Sequence, residues 1–238
     1  MRRFLSNPMI LVLIMLMAFN AVTSGRYANP MDWIMRTLII LPGIILGLSF
    51  HEFAHAWVAN RCGDPTPKYH NRITINPAAH IDPLGFLALI FIGFGWGRPV
   101  VINPNNFRKP RRDELLVSLA GVTMNLILAF LFMGAIRLLY EFALGFMLSD
   151  LGMILQDILI WVVHINIVLM VFNLLPIPPL DGFNVLTQIF NLRNTEFYYR
   201  VYDKGFLILM ILIVFNVTGR ILTPAVSNIY TLLAGIFF

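Results

Sequence analysis

Long apolar runs separated by short polar stretches organise this sequence, and their lengths decide what each run can be. The first, Met9 to Val22, follows Arg2 and Arg3, in the manner of a charged n-region before an apolar h-region. No clean small-x-small site follows it. The tail Ala21-Val22-Thr23-Ser24-Gly25 leaves room for cleavage, and we read an uncleaved first span with a cytoplasmic N-terminus. The second run, about Ile34 to Asn60, can cross ~30 Å of hydrocarbon with some tilt. It delivers Arg61, Lys68 and Arg72 to the cytoplasm, in line with the positive-inside bias. Leu84 to Trp96 is short for a span, is interrupted by Gly85, Gly93 and Gly95, and leads into the most basic loop of the chain, with Arg98, Arg108, Lys109, Arg111 and Arg112. A crossing there would put that loop outside, so the stretch is expected to be a re-entrant or interfacial element whose two ends are cytoplasmic.

Leu115 to Tyr140 then crosses outward to Glu141, Asp150 and Asp157, with no Lys or Arg among them, and about Leu151 to Leu175 returns inward to Arg193, Arg200 and Lys204. Gly205 to Val217 and Ile221 to Phe238, broken at Gly219-Arg220, close the chain. The pattern predicts an all-α polytopic membrane protein of about six transmembrane helices. A re-entrant or strand-like element is expected between the second and third spans, since Lys68 to Pro83 carries an alternation at Arg72-Ile73-Thr74-Ile75 and turn chemistry at Asn76-Pro77. Residues 1–238 read as a single integral membrane domain, with a core of about 34–184 and C-terminal helices at 205–238.

Composition sharpens this. A chain of 238 residues that is 58% hydrophobic and 12% charged, with mean hydropathy +0.78, carries more apolar surface than one soluble core can bury. The single cysteine, Cys62, excludes a disulfide framework. The net charge of +5 sits in short loops beside apolar runs, where it orients helices at anionic lipid, so no nucleic-acid partner is expected.

Ionisable groups inside spans are costly and persist where something compensates them. The second span holds three in five residues, His51-Glu52-Phe53-Ala54-His55, a HExxH pattern. On a helix the i, i+4 spacing puts both imidazoles on one face, one turn apart, as two zinc ligands require. Glu52 is offset by one position, where it can act as the base for water at the metal. A structural reading, with three polar groups hydrogen-bonding other helices, has to meet three desolvation costs together.

A catalytic zinc needs a third protein ligand and one free position. His164 lies mid-span, where a lone imidazole is more often an interhelical hydrogen-bonder. His70, His80 and Asp82 follow the HExxH helix closely but lie toward the interface. Asp181 is the better candidate, because it ends Asn173-Leu174-Leu175-Pro176-Ile177-Pro178-Pro179-Leu180-Asp181-Gly182, where three prolines stop a continuous helix after an apolar span.

These segments resemble the site-2 protease family of intramembrane zinc metalloproteases, in its compact bacterial and archaeal subgroup. Phe50 to Ala56 (FHEFAHA) and Asn173 to Gly182 (NLLPIPPLDG) match its two signatures. Asn76 to Gly85 (NPAAHIDPLG) and Ser118 to Asn125 (SLAGVTMN) are similar too, so the resemblance runs from about Ile34 to Asn184. Val122 departs from it, standing where many relatives carry proline. The resemblance implies one Zn²⁺ held by His51, His55 and Asp181, Glu52 as general base, and Asn125 near the substrate carbonyl or the zinc-bound water, in a substrate or oxyanion role; a helix-packing amide is the other reading of Asn125. It further implies peptide hydrolysis within or near transmembrane helices of membrane-anchored protein substrates, by Glu-assisted attack of water at zinc. The cell membrane is the expected location, with the active site toward the cytoplasmic side, and a regulatory membrane partner is compatible with the pattern. The alternatives are an intramembrane metal-binding transporter or a non-proteolytic zinc membrane protein, although the polar groups converge on one point rather than along a path.

Overall fold

Proline sets where several helices begin, because at the first helical position its missing N–H leaves no bond unmade. Pro30, Pro77, Pro83 and Pro110 all start helices in this way. The computed structural model describes residues 8–238. Within them run α1 (Pro8–Thr23), α2 (Pro30–Arg61), α3 (Thr66–Tyr69), α4 (Pro77–His80), α5 (Pro83–Ile92), α6 (Pro110–Phe142), α7 (Leu144–Met147), α8 (Asp150–Asn173), α9 (Asp181–Ile189), α10 (Glu196–Val214) and α11 (Val217–Phe237). Arg2 and Arg3, which precede the first apolar run, lie outside the described residues.

Among the described residues four helices, α2, α6, α8 and α11, are long and apolar enough to cross a membrane. The sequence pattern predicts about six. The difference lies at α1, which is apolar but only 16 residues long, and at α10, whose first half carries Glu196, Arg200, Asp203 and Lys204. The final break also moves. It falls at Asn216, in the left-handed region at φ 54°, while Gly219, where the break was expected, continues inside α11. Asparagine tolerates that conformation, and one glycine in a helix costs only about 1 kcal/mol.

No β-strand occurs among the described residues, and the alternating Arg72 to Ile75 segment forms bends rather than the expected strand. Its backbone has no neighbouring strand to pair with. The element after it is a hairpin of another kind. Gly93, at φ 85°, ends α5, and the chain doubles back along that helix so closely that a Cβ on Gly85 would lie 2.1 Å from Trp96 O. An isolated antiparallel bridge joins Ile81 to Gly97, and Arg98 N donates to His80 O at 2.7 Å, so the two ends of the excursion meet.

Helices α2, α6 and α8 pack on one another, with α9 lying on α6 and α11 on α8 and α6. Small residues permit the close approach. A Cβ on Gly47 of α2 would come within 2.5 Å of Leu169 Cδ1 on α8, and one on Gly43 within 3.0 Å of Trp161 O. Ala129, Met133 and Ile136 of α6 meet Val163 and Ile167 of α8 and Val226 and Leu233 of α11 in the largest buried apolar cluster. Helix α1 stands apart from this core and packs on α10 and α5.

Candidate metal centre

The helical spacing of His51 and His55 turns both rings to one side of α2, toward α6. Their Nε2 atoms lie 3.0 Å apart. Asp181 is the first residue of α9. That helix is tied to the start of α6 by Arg111, which donates from Nε to Gln188 O at 2.7 Å and from Nη2 to Ile189 O at 2.8 Å, and the chain just after it by an Arg193–Glu114 ion pair. With α9 so placed, Asp181 Oδ2 lies 3.2 Å from each histidine Nε2. Among the described residues this is the only group of three such side chains able to share one metal ion.

The outer faces of the two rings fix which nitrogen carries the proton. His51 Nδ1 faces Asn125 Oδ1 at 2.7 Å, and His55 Nδ1 faces the carbonyl of Val117 at 2.7 Å. Both partners accept, so each Nδ1 donates and each neutral ring turns an unprotonated Nε2 inward. With both rings neutral, two lone pairs and a carboxylate oxygen converge, a triangle suited to hold a cation. Asp181 Oδ2 is buried and has no hydrogen-bond donor of its own.

A zinc fits this set. Tetrahedral ligands at about 2.0–2.1 Å from the ion stand roughly 3.3–3.4 Å from one another, close to the 3.0–3.2 Å observed. The donor set, two imidazoles and a carboxylate with one position to spare, is that of a catalytic rather than a structural site. Room for it is kept by Gly121 of α6, where a Cβ would lie 2.5 Å from His55 Nε2 and 2.6 Å from His51 Nε2.

Glu52 stands beside the cluster at the foot of the α5 hairpin. Its Oε2 accepts from the main-chain N–H of Val100 at 2.9 Å. The extended return that supplies this amide is held from the other side by Arg72, whose Nη2 donates to Arg98 O and, at 2.7 Å, to Pro99 O.

The remaining sequence candidates lie elsewhere. His70 is exposed; His80 is buried with Nε2 on Thr74 O at 2.6 Å; Asp82 caps α5 by accepting from Gly85 N; His164 packs edge-on against Trp161. Asn125 is fully buried with its whole amide in use, Oδ1 on His51 and Nδ2 on Gly47 O and Asn166 Oδ1, so in this arrangement it has no hydrogen left for a substrate oxyanion. Sequence reasoning overlooked Asn166, one of two asparagines in the apolar helix α8, and the two backbone groups, Val117 O and Val100 N–H, which no residue type announces.

The chain is similar to several known proteins. A family model described as "Peptidase family M50" matches residues 140–215. "Putative zinc metalloprotease YwhC" of Bacillus subtilis (strain 168) is 35% identical over 184 residues, 77% of this chain and 84% of that protein. "Putative zinc metalloprotease Rip2" of Mycolicibacterium smegmatis is 28% identical over 239 residues, covering 98% of this chain and 86% of its own length. "Putative zinc metalloprotease MJ0611" of Methanocaldococcus jannaschii is 29% identical over 163 residues, 67% of this chain and 75% of the relative. No solved structure matches.

Proposed function

The chain belongs to peptidase family M50, and from that premise we propose that it is an intramembrane zinc metalloprotease that cuts membrane-anchored protein substrates within or near their transmembrane helices. The convergence of His51 Nε2, His55 Nε2 and Asp181 Oδ2, from helices far apart in sequence, carries this reading. His51, His55 and Asp181 hold the ion. Zinc bound there supplies Lewis acidity, which polarises the scissile carbonyl and makes water a stronger acid.

The residues of the chain do the rest. Glu52 takes a proton from the attacking water as oxygen bonds to the carbonyl carbon, then returns it to the amide nitrogen as the carbon–nitrogen bond breaks. A carboxylate and an amine leave. The substrate helix has to unwind first, because its peptide groups are shielded by their own hydrogen bonds. The extended return from Gly97 to Val101, touching Glu52 through Val100 N–H, is suited to align the unwound segment by main-chain pairing.

Two further features belong to the same reading. The six-span count requires α1 and α10 to cross along with the four longer helices, while α5, about 15 Å long at 1.5 Å per residue, enters and returns on one side. The Lys and Arg asymmetry puts the loop from Arg98 to Glu114 in the cytoplasm and that from Glu141 to Asp150 outside. His51 then lies toward the inner end of α2, and Asp181 just beyond the inner end of α8. Cuts should fall in the cytoplasm-proximal part of a single-span substrate, preferentially where Gly, Pro or Asn weaken its helix.

The deciding experiment uses the purified full chain with a single-span model substrate. Wild type should carry about one zinc per chain and cleave, whereas Glu52→Gln should keep zinc and lose at least about 10²-fold in rate. Cleavage by Glu52→Gln at the wild-type rate, or cuts clustered at the external end, would overturn the assignment. A transporter reading is disfavoured by the single convergent cluster among the described residues.

A further inference from the structure

His51 is one link in a longer chain of hydrogen bonds that crosses three helices. Asn166 Nδ2 on α8 donates to Val162 O at 2.8 Å, and Asn166 Oδ1 accepts from Asn125 Nδ2 on α6 at 2.9 Å. Asn125 Nδ2 also donates to Gly47 O at 3.1 Å, and Asn125 Oδ1 accepts from His51 Nδ1 on α2 at 2.7 Å. The two main-chain carbonyls can only accept, so each side-chain amide must turn its nitrogen toward them. That fixes both amides and gives the chain one direction, ending in a proton on His51 Nδ1. Both asparagines are 0% exposed, so no bulk water substitutes for either.

We infer that Asn166, acting through Asn125, is a positioning residue for the metal: the pair holds the His51 proton on Nδ1 and keeps the Nε2 lone pair turned toward Asp181 and His55. This rests on His51 being a zinc ligand. The two histidines then differ in kind. His55 is oriented by a main-chain carbonyl that no substitution removes, while His51 depends on two side chains. A neutral imidazole without a fixed acceptor distributes its proton over both nitrogens, and the Nε2–H form offers this site no lone pair. If the asparagines served only to pack three helices, their loss would lower stability without a specific effect on zinc.

The test measures zinc affinity of the purified full chain by chelator competition, beside thermal unfolding of the zinc-free protein. Asn125→Leu should weaken zinc binding about 10–100-fold, and Asn166→Leu by a smaller factor, roughly tenfold. Asn125→Asp still offers His51 an acceptor. It should hold zinc within about threefold of wild type even though losing both Nδ2 contacts lowers its unfolding temperature. The double variant Asn125→Leu with Asn166→Leu should bind zinc no more weakly than Asn125→Leu alone, because Asn166 acts only through Asn125. Unchanged affinity in both leucine variants, an Asn125→Asp variant as weak as Asn125→Leu, or multiplying losses in the double variant would each overturn the inference. Should Asn125→Leu fail to fold, the contrast between a weakened Asn166→Leu and a retained Asn125→Asp decides alone. Wild-type protein that binds no zinc would instead refute the reading of the site itself.

Discussion

Two regions meet at Glu52, and they are built on opposite rules. Around His51 and His55, regular helices approach through glycines, ring orientations are locked, and the asparagine amides of α6 and α8 are fully bonded. From Arg72 to Val101 the chain is bends, two short helices and an extended return, held by an isolated bridge and two hydrogen bonds from Arg72 Nη2. Rigid elements suit a metal, whose ligands tolerate little displacement. An irregular, partly exposed segment suits a peptide that has to enter, pair and leave. Glu52 sits on the rigid helix but is touched by an amide of the pliable segment. Holding the ion and cleaving the peptide should therefore be separable by mutation.

The largest expected effect removes a ligand from the rigid side. Asp181→Ala leaves two imidazoles, and zinc affinity should fall by more than the 10–100-fold seen when outer partners are lost, with cleavage falling in step. Metal analysis after dialysis against a chelator checks this; full occupancy would send the third-ligand role elsewhere.

Gly121→Ala comes next. The added methyl would stand 2.5 Å from His55 Nε2, so α6 has to shift or the rings turn away. Zinc binding should weaken and stability should drop by about 1–3 kcal/mol, the ordinary result of overpacking. Titration with zinc alongside denaturation measures both, and a fully zinc-competent variant would show that α6 does not bound the site.

Arg72→Gln probes the other region. It frees the carbonyls of Arg98 and Pro99, so cleavage should fall a few-fold, while zinc affinity stays as in wild type. Equal losses in both would erase the distinction between the regions.

The last effect bears on folding rather than on zinc or cleavage, and concerns Asp64, which gathers Thr66 N and Oγ1, Asn103 N and Asn106 Nδ2 where the hairpin region rejoins α6. Burial pushes its carboxyl up, but the bonds from Thr66, Asn106 and Asn103 outweigh this and hold it below the ordinary carboxylate value. Since the folded value is the lower one, the stabilisation is present above pH ~4 and fades as pH falls further. Asp64→Asn should cost about 1–3 kcal/mol near neutral pH, with the difference from wild type shrinking in acid. A difference independent of pH would exclude the charge as its source.

Much of the site was legible because its chemistry is written in spacing. His51 and His55 announce a shared helix face by themselves, and the prolines before Asp181 announce a broken segment after a span. What stayed hidden was relational. Asn125 is visible as an intramembrane amide, but its orientation toward His51 follows from Gly47 and Asn166, which lie on two other helices. Asn166 reads as one polar residue in an apolar run. The alternation at Arg72 to Ile75 suggested a strand because period-two patterning needs a pairing partner that a single segment does not reveal. The last helix break was misplaced for a local reason, since a left-handed asparagine interrupts a helix more firmly than a tolerated glycine.

X-ray absorption at the zinc edge, on the purified wild-type chain and on Asp181→Ala, most directly tests the claim that His51, His55 and Asp181 hold one zinc. Wild type should show a four-coordinate ion with two imidazoles and oxygen donors at about 2.0–2.1 Å, and Asp181→Ala should lose zinc or change that oxygen shell while keeping both imidazoles. Three imidazoles around the ion, or a shell unchanged by Asp181→Ala at full occupancy, would contradict it.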